Sequence, residues 1–235
     1  MTMLSLVQNF CKRTNIPVPV SVLGSTDEQV LQALGLLEEE GQDLATRGDW
    51  QSLTNESTHT TIAIEDQGSI QTIASNGFAY IKNNTIWDRD LRLPVYVIDG
   101  TDWQQVKAIE VTGPRYQARI RGGKLLCNPV PAAGNTWAFE YISENWILGA
   151  DGTTYSQYFN LDTDTFLFPE KILMMGLRWR WKKEKGLEYA EDYATYEKLV
   201  SQALASDGMR RNINLGEGGY SVEPRVYTPD GSFNL

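Results

Sequence analysis

EKILMMGLRWRWKKEKGLEYAEDYATYEKLVSQALASDG, Glu170 to Gly208, has a helical period that the middle of the chain lacks. Pro169 suits a first helical position. Gly186 is a natural divider, so the spacing predicts one or two helices closed by Asp207–Gly208. The chain begins in the same way. Leu4, Leu6, Val7 and Phe10 form a short apolar face, predicting a helix over about 3–14 that ends before the extended IPVPV. A second helix starts near Ser25 or Thr26, either of which can cap it, with Asp27 and Glu28 in the first turn. Val30, Leu31, Leu34, Leu37, Leu44 and Ala45 supply its stripe, broken by Gly35 and Gly41, and RGDW marks its end.

Between these helical ends the period changes. TTIAIEDQG and SIQTIA read as strands around a turn, and PVYVIDG as another short strand. Residues 101–110 read as a short helix with Trp103, Val106 and Ile109 on one face. ARI, Gly122–Gly123 and KLLCN form a hairpin. TWAFEYISENWIL reads as a long strand of alternating character. The predicted class is α+β: a helical core from both chain ends, an inserted antiparallel β region and an extended C-terminal arm. The expected divisions are 1–54 and 168–207 for the helical core, 55–167 for the insert and 208–235 for the arm. The last is rich in Gly, Pro and Asn and has no period.

Composition narrows the function. The chain has 235 residues, 41% hydrophobic and 22% charged, with seven Trp and eleven Tyr, a heavy load of the side chains that anchor cores and interfaces. A formal net charge of −9 disfavours attraction to nucleic acid, although an acidic wall would keep passing DNA from sticking. No stretch approaches 18 apolar residues, so no membrane partner is expected. The opening MTMLSLVQNFCKR lacks the apolar run and cleavage site of a signal peptide. Cys11 and Cys127 match no zinc spacing and read as buried small apolar residues. The single His59 has no metal-ligand neighbours in sequence and no nucleophile motif beside it.

Two charged patches stand out. Glu38, Glu39, Glu40 and Asp43 place Glu39 and Asp43 on one helix face. That pair can bind a divalent ion or share a proton, but it reads best as a solvated face or a subunit contact. In LRWRWKKEKG, Arg178, Arg180, Lys182, Lys183 and Lys185 are opposed in that run by Glu184 alone. Interleaved with Trp179 and Trp181 they can grip phosphates and stack on bases. The stronger reading is salt-bridged packing or assembly. In the case of assembly, the basic face can meet the acidic face of a neighbouring subunit. Asp162–Asp164 and Asp151–Gly152 lack calcium-loop spacing. A metal-dependent hydrolase would need Glu38–Asp43 to converge with Asp162–Asp164. No catalytic residue, metal or cofactor is expected.

The blocks LSLVQNFCKRTNIPVP, LLEEEGQDLATRGDWQSLT, the YQARIRGGKLLCNP hairpin and LRWRWKKEKGLEYAEDYATYEKLV together resemble the head–tail connector adaptors of tailed bacteriophages. The resemblance spans most of the chain. It implies a non-enzymatic virion protein, made in the host cytoplasm and placed at the head–tail junction. It implies a homo-oligomeric ring, commonly twelve-fold, that binds the portal protein and a tail or nozzle protein. Genomic DNA passes through the channel without sequence-specific binding. The resemblance makes residues 27–47 and 170–206 the helical core and turns the 115–128 hairpin towards tail components. It makes 208–235 a portal-binding arm carrying Met209, Ile213, Leu215, Tyr220, Val226, Tyr227, Phe233 and Leu235. The interface residues are then Glu38, Glu39, Glu40 and Asp43 on one face and Arg178, Arg180, Lys182 and Lys183 on the other. The alternatives are a minor tail or nozzle structural protein and a nucleic-acid-binding module.

Overall fold

The structure, a computed structural model, describes residues 1–109 and 115–207. The proposed arm, with its eight portal-binding residues, lies outside the described residues. In chain order the elements are α1 (Met3–Thr14), α2 (Glu28–Thr46), a 3-10 turn (Gln51–Leu53), β1 (Thr54–Thr60), β2 (Asp66–Ser69), α3 (Ile70–Ile73), β3 (Tyr80–Ile81) and β4 (Trp87–Asp88). Then follow β5 (Leu93–Pro94), β6 (Tyr96–Val97), α4 (Gly100–Ile109), β7 (Gln117–Arg121), β8 (Lys124–Asn128) and β9 (Thr136–Ile142). The chain continues with β10 (Ile147–Leu148), β11 (Tyr155–Ser156), β12 (Thr165–Phe166), α5 (Glu170–Glu184) and α6 (Ala190–Asp207). This is the α+β class read from the sequence: helices from both chain ends flanking a central, mainly antiparallel β region.

The described residues form two compact units. One takes Met1–Thr54 and everything from Ile142 onward, and the other takes Asn55–Tyr141. The helical unit therefore reaches 26 residues further back than the expected boundary at 167/168. The reason is aromatic anchoring. Trp146, Phe159 and Phe168 are buried in the core that α1, α2, α5 and α6 share. Trp146 stacks on Phe168 at 6.1 Å and meets Phe159 edge-on at 5.3 Å. The small sheet β11-β10-β12 belongs to this unit.

Local chemistry sets the helix ends. Thr2 caps α1 through a reciprocal pair with Ser5. Asp27, rather than Ser25 or Thr26, caps α2, its carboxylate accepting from the Gln29 N–H at 2.8 Å. Helix α5 ends in a Schellman motif. Gly186 takes φ +67°, its N–H bonds the Lys183 carbonyl, and the Leu187 N–H bonds the Lys182 carbonyl at 2.8 Å.

Helix α2 approaches its neighbours where it carries no side chain. A Cβ on Gly41 would lie 2.2 Å from the ring of the fully buried Trp146, whereas one on Gly35 meets nothing within 4 Å. Gly35→Ala is therefore expected to stabilise the protein by up to about 1 kcal/mol. Gly41→Ala is expected to destabilise it by about 1–3 kcal/mol, because the enclosed indole cannot swing away. Urea titration of the two variants checks the opposite signs.

In the β unit, the sheet order is β1-β9-β4-β5 with β3 also on β9, and a second sheet runs β2-β8-β7-β6. The β7–β8 hairpin turns at Gly122 and Gly123, both at positive φ, as the Gly-Gly pair predicts. Two expectations are corrected. IQTI in the SIQTIA stretch is one helical turn, with Ile70 turned into the core. TWAFEYISENWIL is two strands, β9 and β10, with the break at 143–146. PVYVIDG holds a short strand as expected, β6, which pairs parallel with β7 in an otherwise antiparallel sheet. Trp137, Phe139, Tyr141, Phe78 and Ile81 build a core distinct from the helical one.

Candidate functional site

The expected subunit-interface patches meet inside one chain. Arg180, at mid-α5, reaches across to α2. Its Nε donates to Glu40 Oε2 at 2.7 Å, and its two terminal nitrogens pair with Glu39 and Asp43. The Arg180 side chain is 7% exposed and that of Glu40 is 0% exposed. The expectation that these two residues pair between subunits is therefore corrected, because their charges are consumed within the helical unit. Glu39 and Asp43 remain more than half exposed, at 60% and 52%. The arrangement needs Gly176, since a Cβ there would lie 2.2 Å from the Glu40 carboxyl.

The surroundings tune this cluster. Burial raises the Glu40 carboxyl above its ordinary range, with Tyr196 and Arg180 pulling it back. Burial pulls the Arg180 guanidinium down, but Glu40 and its acidic neighbours hold it above its usual value. Burial, then the Glu40 charge, pushes the Tyr196 phenol well up. Glu40 Oε1 and the Tyr196 hydroxyl are close enough to perturb one another, yet neither has a well-aligned hydrogen bond. The Trp179 ring lies 4.8 Å from the Arg180 guanidinium. Arg47 bonds Glu197 at 2.7 Å and stands 5.3 Å from the Tyr196 ring.

The rest of the basic patch divides. Arg178 and Lys182 share one carboxylate, Asp192 on α6, at 3.3 and 2.5 Å. Lys183 is exposed, its ammonium 5.9 Å from the Trp179 ring, and Lys185 stands 4.5 Å over Trp181. Trp179 and Trp181 are 7% and 6% exposed. Base stacking on them, the nucleic-acid alternative, is therefore corrected: both indoles face the core.

Glu38 and Asp164 both bind the 159–164 loop, which is not the convergence of carboxylates that the hydrolase alternative required. Their oxygens accept backbone N–H groups instead of facing an open centre. Glu38 takes the Phe159 N–H at 3.2 Å, and Asp164 takes those of Asn160 and Leu161 at 2.8 Å. Asp162 accepts from Val22 at 3.2 Å and from Leu23 at 3.0 Å, pinning the loop before α2. Burial raises the Asp162 carboxyl, but hydrogen bonds from Ser21, Leu23 and Val22 outweigh it and hold the group below its ordinary range. A depressed carboxyl stabilises the fold above its unfolded pKa and loses that contribution as pH falls through the folded value. Asp162→Asn is accordingly expected to be less stable than the parent at neutral pH and to converge with it in acid, as read by thermal melts across pH. Among the described residues, no group of three or more His, Cys, Asp or Glu side chains is arranged to hold a metal ion.

Both thiols are free and buried. Burial pushes Cys127 up to about 12 and raises Cys11. Burial lowers His59, against a Gln67 hydrogen bond that favours the protonated ring. Among the described residues, no helix is long and apolar enough to cross a membrane. The sequence reading missed Asp192 and Tyr196, both buried on α6. Their signal was position: Tyr189, Tyr193 and Tyr196 recur at helical spacing, and all three rings lie against Trp179.

Set against known proteins, the chain matches no family model and no curated protein sequence.

Proposed function

We propose that this protein is a structural adaptor, a subunit of a homo-oligomeric ring that joins a capsid portal to the tail of a virion and continues its DNA channel. The observation that supports this reading is the interrupted helical unit. Both chain ends build one core around α1, α2, α5 and α6, while Asn55–Tyr141 folds around a core of its own. That is the organisation the resemblance implies for a connector adaptor. It suits a part that must hold one partner and project a second surface. In this reading the 208–235 segment binds the portal, and the 115–128 hairpin belongs to the surface offered to tail components.

Ring contacts are then not built on Arg180 and Glu40. Charge reversal at Glu40 should unfold the subunit before it weakens any ring. Electron microscopy of the purified chain, alone and mixed with its portal protein, tests the function. Rings stacked on the portal and lost when 208–235 is deleted are the expected result. Binding to a tail tube or nozzle component without portal binding would replace the adaptor reading with the tail-protein one.

A further inference from the structure

A second feature of the helical unit stands apart from the proposed ring function. The last turn of α1 and one face of α5 enclose a pocket of about 380 Å³. Its floor is apolar, made by Phe10, Met174 and Trp181, with Leu187 at the edge. Its rim is cationic, made by Arg13, Arg178 and Lys182. On α5 these residues stand at positions i, i+4, i+7 and i+8, a single helix face that turns both its apolar and its basic members to one opening. The Schellman turn at Gly186 sets Leu187, which is 55% exposed, at the edge.

The charge at the rim is unbalanced. Arg178 and Lys182 share the single carboxylate of Asp192, and Arg13 makes no ion pair among the described residues. Two cationic charges are therefore uncompensated around an apolar floor, on a protein whose net charge is −9. The volume lies at the low end of ligand pockets, sized for one or two side chains rather than a large cofactor.

We infer that this pocket is a docking site for an acidic peptide segment of a partner protein, in which an apolar side chain fills the floor and flanking carboxylates meet Arg13, Arg178 and Lys182. The apolar side chain covers the exposed Leu187 and the small surface that Phe10, Met174 and Trp181 leave open. The flanking acids supply the charge that Asp192 alone cannot. Rim charges of this kind set partner choice and salt dependence more than raw affinity.

Isothermal titration calorimetry of the full chain tests it. The probe is an end-blocked octapeptide with a Glu-Phe-Asp-Leu core. The controls are the same peptide with Gln and Asn for its acids, and with Ser for its apolar residues. Saturable binding to the first, weakened roughly tenfold in each control and at high salt, is expected. Arg13→Glu and Leu187→Asp change exposed side chains, so both variants should fold and should lose binding to a similar degree. Equal binding of acidic and amide peptides, unchanged binding by the two variants, or no saturable heat would overturn the inference. Sedimentation that reveals a dimer dissolved by Arg13→Glu would overturn it too, making the occupant a second copy of this chain.

Discussion

Arg180→Met is expected to cost about 3–5 kcal/mol, the loss typical of breaking a buried ion pair from one side. The Arg180 side chain is 7% exposed and makes three carboxylate contacts, one of them to the fully buried Glu40. Methionine fills similar space but removes the only cation in contact with Glu40 among the described residues, leaving the more distant Arg47 charge and a poorly aligned Tyr196 hydroxyl to offset it. Hydrogen exchange at the α2 and α5 amides should report the loss, together with urea titration. The pH dependence gives a second signature. Glu40 already binds its proton more tightly in the folded state than in the unfolded chain, because burial raises it. Folding therefore becomes less favourable as pH rises from the ordinary carboxylate range through the raised folded value. Removing Arg180 raises Glu40 further and widens that window. The gap between variant and parent should shrink as pH falls, since a protonated Glu40 no longer needs the guanidinium. Replacing the pair together, with Glu40→Leu beside Arg180→Met, should recover part of the loss. A variant as stable as the parent at neutral pH would show that the network is solvated rather than buried.

The same residue marks where the sequence stopped being legible. Complementary charges at 38–43 and 178–185 say that the patches pair, but not whether the partner is the same chain. Helix geometry carried the missing clue. Arg180 stands between Trp179 and Trp181, and three consecutive residues sweep most of a helix circumference. If both indoles are buried, the arginine between them faces the core side and needs an internal partner. The periodic parts read correctly. Gly186 divides α5 from α6, and Gly122–Gly123 turns a hairpin, because positive φ at a glycine is a local requirement. The segment 142–167 was placed in the β region because TWAFEYISENWIL reads as one continuous strand running on from the insert. Its true allegiance comes from Trp146 and Phe159 packing among the helices, a tertiary choice that no period encodes. SIQTIA failed for the same reason: its β-branched residues favour a strand locally, yet Ile70 is turned inward by a single helical turn closed by the Ala74 N–H on the Ile70 carbonyl at 2.8 Å.

Asp88→Ala in the β unit is expected to cost about 3–5 kcal/mol, since hydrogen bonds to a charged acceptor contribute about 1.5–3 kcal/mol each and do not add fully. The Asp88 side chain is completely buried and acts as an acceptor hub. Its Oδ2 takes the Asn135 Nδ2 at 2.8 Å and the Trp137 Nε1 at 3.1 Å. Its Oδ1 takes the backbone N–H groups of Asp90 at 3.0 Å and Leu91 at 2.8 Å. One carboxylate thus closes the β4–β5 turn and fixes the orientation of the Trp137 indole on β9. Alanine leaves these donors, two of them on buried or half-buried side chains, without an acceptor, and orphaned donors are more costly than the bonds were favourable. Asp88→Asn separates charge from geometry. Its amide offers one oxygen in place of two, so it can serve the turn or the indole but not both, and it should lose about half as much. Near-ultraviolet circular dichroism should show the Trp137 signal weakened, and hydrogen exchange should rise in β4 and β9 while α2 and α5 keep their protection. If exchange rose equally in both units, the loss would be global, and the separate core of Asn55–Tyr141 would not be an independent source of stability. If neither variant changed exchange in β4, the hub would be a crowded contact with no energetic weight.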